Sequence, residues 1–428
     1  MVLLVIAAAL YGLCFYMSYK AADIFNKTVA ERQLFLGTVT VERLTATPGG
    51  TVSFENLLWV DSDGKKLAEI PEGQFTVKIR DIVTGHIGTQ TIETVTLNDA
   101  YLHLIFNDKM ELQHIKSNQD GDTKKEKKAV ELTGPKGNRP FNCRVVLHHS
   151  VIEAESPDRH FTMEDVDLDA DIHTKGKTNL NLQTGPFSGT VAAKSLRIRG
   201  SIDFRPDTPQ YDLFLLLTDC NPKSLGAGLD ITDPATISAD IRGPLNKPVI
   251  DGILTMDKLD ITTLVFTDVK GQVHYEGGKL DINDVTAGVF GGSMKGTGQV
   301  NLDEKSYTAD IVGTKLQGSI AAHDLFLRCD VDLNLHMEEN RTAGTKAVYG
   351  DFRSGPGRYH GLPFRGISGS FAQDGKDLHF QDVIISMFFG DVSTDALSIV
   401  DGKVHMETIH VNYKDGSHSH HKGPGFDN

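Results

Sequence analysis

Hydrophobic and polar residues alternate with a period of two over most of the chain. The longest alternating run covers 325–337, where every odd position holds leucine, valine, cysteine or methionine. On a helix these side chains would point to all sides, whereas on a strand they form one apolar face. Shorter runs of the same kind lie at 75–79, 102–106 and 166–172. The alternation therefore predicts many half-buried β-strands.

Turn signals separate these runs. Dipeptides such as Asp63-Gly64, Gly277-Gly278 and Asp401-Gly402 favour tight turns between antiparallel strands. Beyond residue 35 no segment has a strong amphipathic helical pattern, so helical βαβ crossovers are not expected. The sequence predicts an all-β fold.

One segment of the chain is repeated. Residues 264–292 align without gaps with 362–390 and are identical at nine positions, including Gly277/Gly375 and Asp284/Asp382. Strand–turn–strand units that stack on their neighbours give an elongated body. The length of 428 residues agrees with this, because single compact cores stop growing near ~250–300 residues.

Charge and cysteine usage exclude several functional classes. The 43 Lys and Arg against 57 Asp and Glu give a net charge of −14, which disfavours nucleic-acid binding and wide adhesion to anionic membranes. The four cysteines contain no C-x-x-C spacing, which excludes a local zinc ribbon or redox pair.

The first residues predict a membrane anchor. Residues 1–19 carry no charged side chain, and as a helix they would extend ~28 Å, close to the ~30 Å hydrocarbon core. A cleaved signal peptide is the alternative, but its apolar region is shorter and its cleavage site is clearer. Lys20, Lys27 and Arg32 follow the anchor and no basic residue precedes it, so the positive-inside rule would keep the rest in the cytoplasm. A start upstream of Met1 would remove that conflict.

Two groups of residues could hold a metal ion. Asp165, Asp167, Asp169 and Asp171 share one side of a predicted strand and could bind a hard cation. The simpler interpretation is the solvated side of a strand whose other side is apolar. The histidines of 418–421 allow the same two interpretations, with an exposed tail favoured over a metal site. No catalytic signature is present, so we predict neither an enzyme nor a cofactor.

Several phrases resemble the AsmA-like envelope proteins, especially the TamB type. They are LGTVTV at 36–41, IRGPLNKPVIDG at 241–252, FTDVKG at 266–271 and FGGSMKGTG at 290–298. The resemblance implies an elongated, curled repeat β-sheet that forms a half-pipe groove, with one N-terminal transmembrane helix. It implies an inner-membrane protein with its bulk in the periplasm that carries phospholipids towards the outer membrane. TamB proteins are much longer and end in a dedicated C-terminal domain.

The alternation and the resemblance together divide the chain into six predicted segments. These are a transmembrane anchor at 1–20, a helical extension at 21–35, an N-terminal β-groove segment at 36–115, a charged flexible loop at 116–140, a repeat β-groove body at 141–414 and a disordered His-rich tail at 415–428.

The acyl chains of the lipid would lie against the apolar side of the sheet. Its predicted lining is Phe75, Val77, Ile79, Leu102, Leu104, Phe106, Leu213, Leu215, Leu217, Leu325, Leu327, Val331, Leu333 and Leu335. The same residues could instead pack against a second layer as a closed core. A third hypothesis is a scaffold for outer-membrane protein assembly, with an outer-membrane barrel-assembly protein as its partner.

Overall fold

The computed structural model describes residues 22, 26, 37–84, 91–108, 142–225, 231–261, 264–321, 327–359, 361–375, 377–400 and 403–423. They form thirty strands, two one-turn helices, one 3₁₀ turn and the helical positions 22 and 26, and twenty-seven of the strands belong to one mixed, mostly antiparallel sheet. The predicted all-β fold is confirmed. The predicted anchor at 1–20 and charged loop at 116–140 lie outside the described residues.

The chain divides into two units, of which the first contains residues 1–228 and 240–246. Its elements are β1 (Thr38–Thr40), β2 (Arg43–Ala46), β3 (Thr51–Val60), β4 (Lys66–Val77), α1 (Ile79–Val83), β5 (Ile92–Asn98), β6 (Tyr101–Ile105), β7 (Asn142–Ser156), β8 (Arg159–His173), β9 (Lys177–Gln183), β10 (Phe187–Gly189), β11 (Ser195–Asp203), β12 (Gln210–Cys220) and the 3₁₀ turn Pro222–Leu225. The next strand, β13 (Ala235–Pro244), is divided between the two units.

The second unit contains residues 229–239 and 247–428. Its elements after β13 are β14 (Val249–Ile261), β15 (Leu264–Glu276), β16 (Lys279–Val289), β17 (Gly292–Asn301), β18 (Ser306–Gln317), α2 (Gly318–Ala321), β19 (Leu327–Arg328), β20 (Asp330–Asn340), β21 (Thr345–Ser354), β22 (Gly357–Tyr359), β23 (Leu362–Phe364), β24 (Gly366–Asp374), β25 (Asp377–Ser386), β26 (Gly390–Thr394), β27 (Leu397–Val400), β28 (Lys403–Met406), β29 (Ile409–Tyr413) and β30 (His418–His421).

In the first unit most strands pair with antiparallel neighbours. Strands β1 and β2 both pair with β3, which pairs with β4, and β4 pairs with β5 and β6. Both β5 and β6 then pair in parallel with β7. Parallel neighbours need a long connection, and the chain between β6 and β7 contains the charged segment 116–140. Antiparallel pairing resumes from β7 through β8, β9 and β11 to β12.

In the second unit the sheet is an antiparallel meander. Strands β14 to β18 pair in chain order, β18 pairs with β20, and β21, β24 and β25 follow. Strand β25 then pairs with both β26 and β27. The short strands β19, β22 and β23 form a separate three-stranded sheet.

Many of the irregularities in the strands centre on residues in the left-handed conformation. Asp165, Asp268, Asp284 and Asp382 have φ near +50°, a region that aspartate and asparagine tolerate better than most residues. The register shifts beside Asp284 in β16 and close to Asp382 in β25, as expected for β-bulges. The two positions correspond in the internal repeat, and the turns at Gly277 and Gly375 correspond as well. The two halves of the repeat therefore share a bulged hairpin.

A buried hydrophobic cluster lies in the first unit. Phe54, Leu97, Leu147 and Val166 belong to it, and so does Ala22, which has a helical conformation and is buried. Asn26, one helical turn further, both donates to and accepts from the backbone of Val41 at 2.9 Å. These two described residues of the predicted helical extension therefore contact the sheet.

Three local predictions are corrected by the structure. The run 325–337 is not one strand. Leu327 and Arg328 form β19 of the three-stranded sheet, where Leu327 pairs with Tyr359, and the chain enters the main sheet only at Asp330, where β20 begins. Ile79 does not continue β4 but begins α1, and its side chain is 41% exposed. The tail predicted to be disordered from 415 is ordered up to 423, where β30 pairs with β29.

Candidate functional site

The first unit has an unbroken apolar row across nine strands. Each residue in the row lies directly opposite the next, so their side chains share one face. The row runs Leu44, Phe54, Gly73, Leu97, Leu147, Leu168, Leu182, Ile198 and Leu215. A second row on the same face, beside the first, runs Val52, Phe75, Val95, Val145, Ala170, Leu180, Gly200 and Leu213. No charged or polar side chain interrupts either row, and Phe75, Leu213 and Leu215 are predicted lining residues.

The second unit repeats this arrangement with its own residues. One row crosses nine strands through Val285, Gly296, Ile311, Leu335, Gly350, Phe371, Phe380, Leu397 and Met406. Leu333 lies in the neighbouring row, between Gly313 and Phe352. The apolar face of each unit is defined here by these rows.

Most side chains of the predicted lining are half-buried. Leu217, at 7% exposure, is buried, and Ile79 is exposed. The other described members, Phe75, Val77, Leu102, Leu104, Phe106, Leu213, Leu215, Leu327, Val331, Leu333 and Leu335, are intermediate. A side chain sealed between two layers would be almost fully buried. These half-buried side chains therefore keep contact with the surroundings of the sheet, whereas Phe54, Leu97 and Leu147 in the row of the first unit are buried.

The remaining predicted lining residues fall into three places. Leu102 and Leu104 lie in β6 opposite Ile152 and Ala154, and Phe106 follows that strand with its amide donating to Glu155. Val77 ends β4 and Val331 pairs with Leu316. Leu327 belongs to the three-stranded sheet, and Leu325 lies outside the described residues.

Glycines on the apolar faces are covered by aromatic rings, a feature that the alternation alone did not indicate. A Cβ atom at Gly73 would lie 2.2 Å from the ring of Phe54, and one at Gly369 would lie 3.0 Å from the ring of Phe352. A Cβ atom at Gly350 would lie 3.0 Å from the ring of Phe371 and 2.0 Å from the backbone oxygen of Asn334. The sequence signal was the presence of glycine at positions where the alternation requires an apolar side chain.

The opposite face carries charged residues in ion pairs. Asp169 accepts two hydrogen bonds from Arg144 at 2.9 and 2.7 Å, and this contact lowers the pKa of the Asp169 carboxyl. Asp165 contacts His149 at 2.9 Å, and Asp171 contacts His173 at 3.1 Å. The aspartate row that could have bound a cation therefore lies on the polar face with basic partners from β7 and β8. Within the part of the chain that the structure describes, no group of three or more metal-binding side chains has a suitable spacing.

A histidine–carboxylate arrangement occurs twice in the second unit. His274 lies 2.7 Å from Asp251 on the neighbouring strand and 3.9 Å from Glu276, two residues along its own strand. His336 has the same two distances, to Asp310 and Glu338. In both cases the hydrogen bond to the aspartate is the main cause that raises the pKa of the imidazole, with further attraction from the nearby carboxylates.

We expect the pKa of His274 to lie above the ordinary value of ~6.5 and to fall in Asp251→Asn. A raised pKa in the folded state means that the pair stabilises the fold fully below the unfolded pKa and loses that contribution as pH rises through the folded one. Titration of the histidine ring protons by NMR measures the pKa of His274 in the wild type and in Asp251→Asn. His336 is the internal control, because Asp251→Asn should leave its pKa unchanged. An unchanged pKa of His274 in that variant would contradict the assignment.

One histidine on the polar side is buried rather than exposed. The side chain of His103 is 5% exposed, its Nε2 lies 3.2 Å from Glu155, and among the described residues its Nδ1 has no hydrogen-bond partner. Tyr101 on the same strand donates to Glu153, and burial together with that hydrogen bond raises the pKa of the Tyr101 hydroxyl to about 12.

The two faces define a class of all-β protein with a many-stranded sheet that has, within each unit, one apolar and one polar side. No protein-family model, no curated protein and no solved structure matches the chain. The similarity to AsmA-like proteins therefore stays an expectation from the sequence. None of the helices in the described ranges is both long enough and apolar enough to cross a bilayer.

Proposed function

We propose that this chain shelters phospholipid acyl chains on the apolar faces of its sheet, as an inner-membrane-anchored periplasmic protein that carries lipid towards the outer membrane. The observation that supports the proposal best is the unbroken apolar row across nine strands in each unit. With neighbouring strands ~4.8 Å apart, each row extends ~40 Å along the sheet. The membrane location is supported by the apolar residues 1–19 and by the resemblance.

The energetic demand of lipid movement matches such a surface. A phospholipid has about 30 acyl methylenes, and exposing them to water costs on the order of 20–25 kcal/mol at ~0.8 kcal/mol each. A carrier must keep the acyl chains against apolar side chains at every point of the route. Rows without polar interruptions can do so, because a lipid moving from one strand to the next meets no unpaired polar group.

In the second unit the half-buried state of the apolar side chains favours this function over a closed core. Leu333 and Leu335 retain intermediate exposure in the middle of β20, far from either end of the strand. Ala22 packs on the face in the first unit, so that part of the face is covered by a helical residue. The acyl chains would therefore contact the face beyond this cluster.

The test is whether phospholipid co-purifies with the full chain. We expect at least one phospholipid per chain after extraction in a mild detergent and exchange into a lipid-free polymer, measured by mass spectrometry of organic extracts. A spin-labelled or fluorescent acyl lipid should then exchange into the protein. Protein that carries no lipid and takes up none would contradict the proposal. Capture of a barrel-assembly protein by lipid-free protein would favour the scaffold hypothesis instead.

A further inference from the structure

The three-stranded sheet of β19, β22 and β23 carries an unusual pair of arginines. Arg328 and Arg358 lie directly opposite each other, so their side chains share one face of this small sheet. Two like charges in such a pair destabilise a sheet. Both side chains are exposed, and neither makes an ion pair with any described residue. Arg365, just after β23, is also exposed and without an ion pair among the described residues.

Several other arginines of this acidic chain lie in ion pairs, whereas Arg197 donates a hydrogen bond to Gln183 and Arg199 lies over the ring of Phe214. The chain has a net charge of −14, and elsewhere Arg144, Arg205 and Arg341 are each paired with an aspartate or glutamate within 3.1 Å. Carboxylates are thus abundant, yet none of the described ones neutralises the pair at the three-stranded sheet. A local positive surface on an acidic protein is complementary to an anionic partner.

Exposed apolar side chains lie at the same end of the second unit. Tyr359 and Leu362 flank the turn between β22 and β23, and Leu362 is 62% exposed. Phe388, also 62% exposed, lies in the turn between β25 and β26, and Ile320 is exposed in α2. These turns share one rim, because the amide of Arg365 donates to Ser386 and that of Gly318 donates to Cys329. The basic rim is defined as Arg328, Arg358, Arg365, Tyr359, Leu362, Phe388 and Ile320.

The opposite rim of the same unit has a different character. Its turns are formed by 277–278, 302–305 and 341–344, which are rich in glycine and charged residues. Among the exposed large apolar residues that the structure describes, Leu302 alone lies in these turns. Turn residues are normally polar, so the exposed side chains of Leu362 and Phe388 set the basic rim apart from the opposite rim.

We propose that the basic rim docks on the surface of an anionic phospholipid bilayer. Arginine pairs with lipid phosphates through two hydrogen bonds, and tyrosine and leucine side chains at turn tips insert at the level of the headgroups. An acidic protein partner would pair with the arginines, but its charged surface would offer no apolar contact for the exposed side chains of Leu362 and Phe388. Bilayer docking does not depend on acyl-chain binding to the apolar faces and extends beyond it.

For the experiment, the full chain is reconstituted into nanodiscs of neutral phosphatidylcholine, whose bilayer accommodates the apolar residues 1–19. Capture of free fluorescent vesicles is then measured for pure phosphatidylcholine and for vesicles with about one third phosphatidylglycerol. We expect capture of the anionic vesicles alone, weakened by salt. Each arginine near an anionic surface contributes about fivefold in affinity, so Arg328→Gln/Arg358→Gln should bind roughly 30-fold more weakly.

The matched control is Arg341→Gln/Lys346→Gln, which removes the same charge at the opposite rim and should capture vesicles like the wild type. Leu362→Ser tests the apolar contribution and should weaken capture without changing its salt dependence. Equal capture by the Arg328→Gln/Arg358→Gln protein, equal capture of neutral vesicles, or binding of an acidic polypeptide in place of vesicles would overturn the proposal. The lipid content of Arg328→Gln/Arg358→Gln should stay at the wild-type level, which separates a failure of docking from a failure of acyl-chain binding.

Discussion

Replacing Leu335 by aspartate is expected to abolish lipid binding by the second unit while the protein remains folded. Leu335 lies in the middle of the apolar row, between Ile311 and Gly350, and is half-buried. A carboxylate at this position would put a charge in the path of the acyl chains, at a cost of several kcal/mol for each lipid that passes. The lipid content of the purified protein and the uptake of a fluorescent acyl lipid should fall by about half, because the first unit keeps its own apolar row.

The same substitution separates an accessible face from a sealed core. On an accessible face the carboxylate stays hydrated, and we expect a loss of stability of about 1–2 kcal/mol with an unchanged circular dichroism spectrum. In a sealed core it would be buried and unpaired, and the unit would unfold. Ala372→Asp is the matched control, because Ala372 is exposed on the polar face beside His379. That variant should bind lipid like the wild type. Unfolding of Leu335→Asp alone would support the closed core.

Alternation of apolar and polar residues was sufficient to predict the fold class and much of the apolar face. Phe75, Leu213, Leu215 and Leu335 each lie in one of the apolar rows. This works because the side chains of a strand point alternately to its two faces, whatever strand lies beside it. The strand at 166–172, with buried Val166 and Ala170, follows the same rule.

Bulges limit how far the alternation can be followed. In β25 the apolar face continues from Phe380 to Val383 rather than to Asp382, because Asp382 adopts the left-handed conformation and shifts the strand by one residue. The repeated aspartates Asp284 and Asp382 were visible in the sequence as a match between the two halves of the repeat. Their role in the backbone becomes evident only from φ.

Contacts between strands that are distant in sequence could not be predicted from a period of two. The His336–Asp310 pair depends on the register of β18 against β20, which is set by the bulge at Lys315. The strand at 418–421 has few apolar residues and is recognised as a strand only through its pairing with β29. Leu327 continues the alternation of β20 in the sequence, but it belongs to β19 and pairs with Tyr359 in the three-stranded sheet.

The glycines under aromatic rings lead to the largest expected effect on stability. A methyl group added at Gly73 would lie 2.2 Å from the ring of Phe54, which is 7% exposed and belongs to the central cluster of the first unit. The ring cannot move away without leaving that cluster, so Gly73→Ala should destabilise this part of the sheet by about 2 kcal/mol. Urea unfolding followed by fluorescence reports on it locally, because the single tryptophan of the chain, Trp59, lies in the same strand as Phe54.

Two further variants show whether the ring over the glycine is the cause. Gly49→Ala is the control for the change itself, since the nearest atom to its added methyl group is 3.7 Å away, and its stability should stay within about 0.5 kcal/mol of the wild type. Phe54→Leu shortens the side chain and should itself be destabilising, but it makes room for the methyl group at Gly73. The double variant Phe54→Leu/Gly73→Ala should therefore be more stable than the sum of the single effects by about 1 kcal/mol or more. Strict additivity would mean that Gly73 is required for another reason, such as the freedom of its backbone.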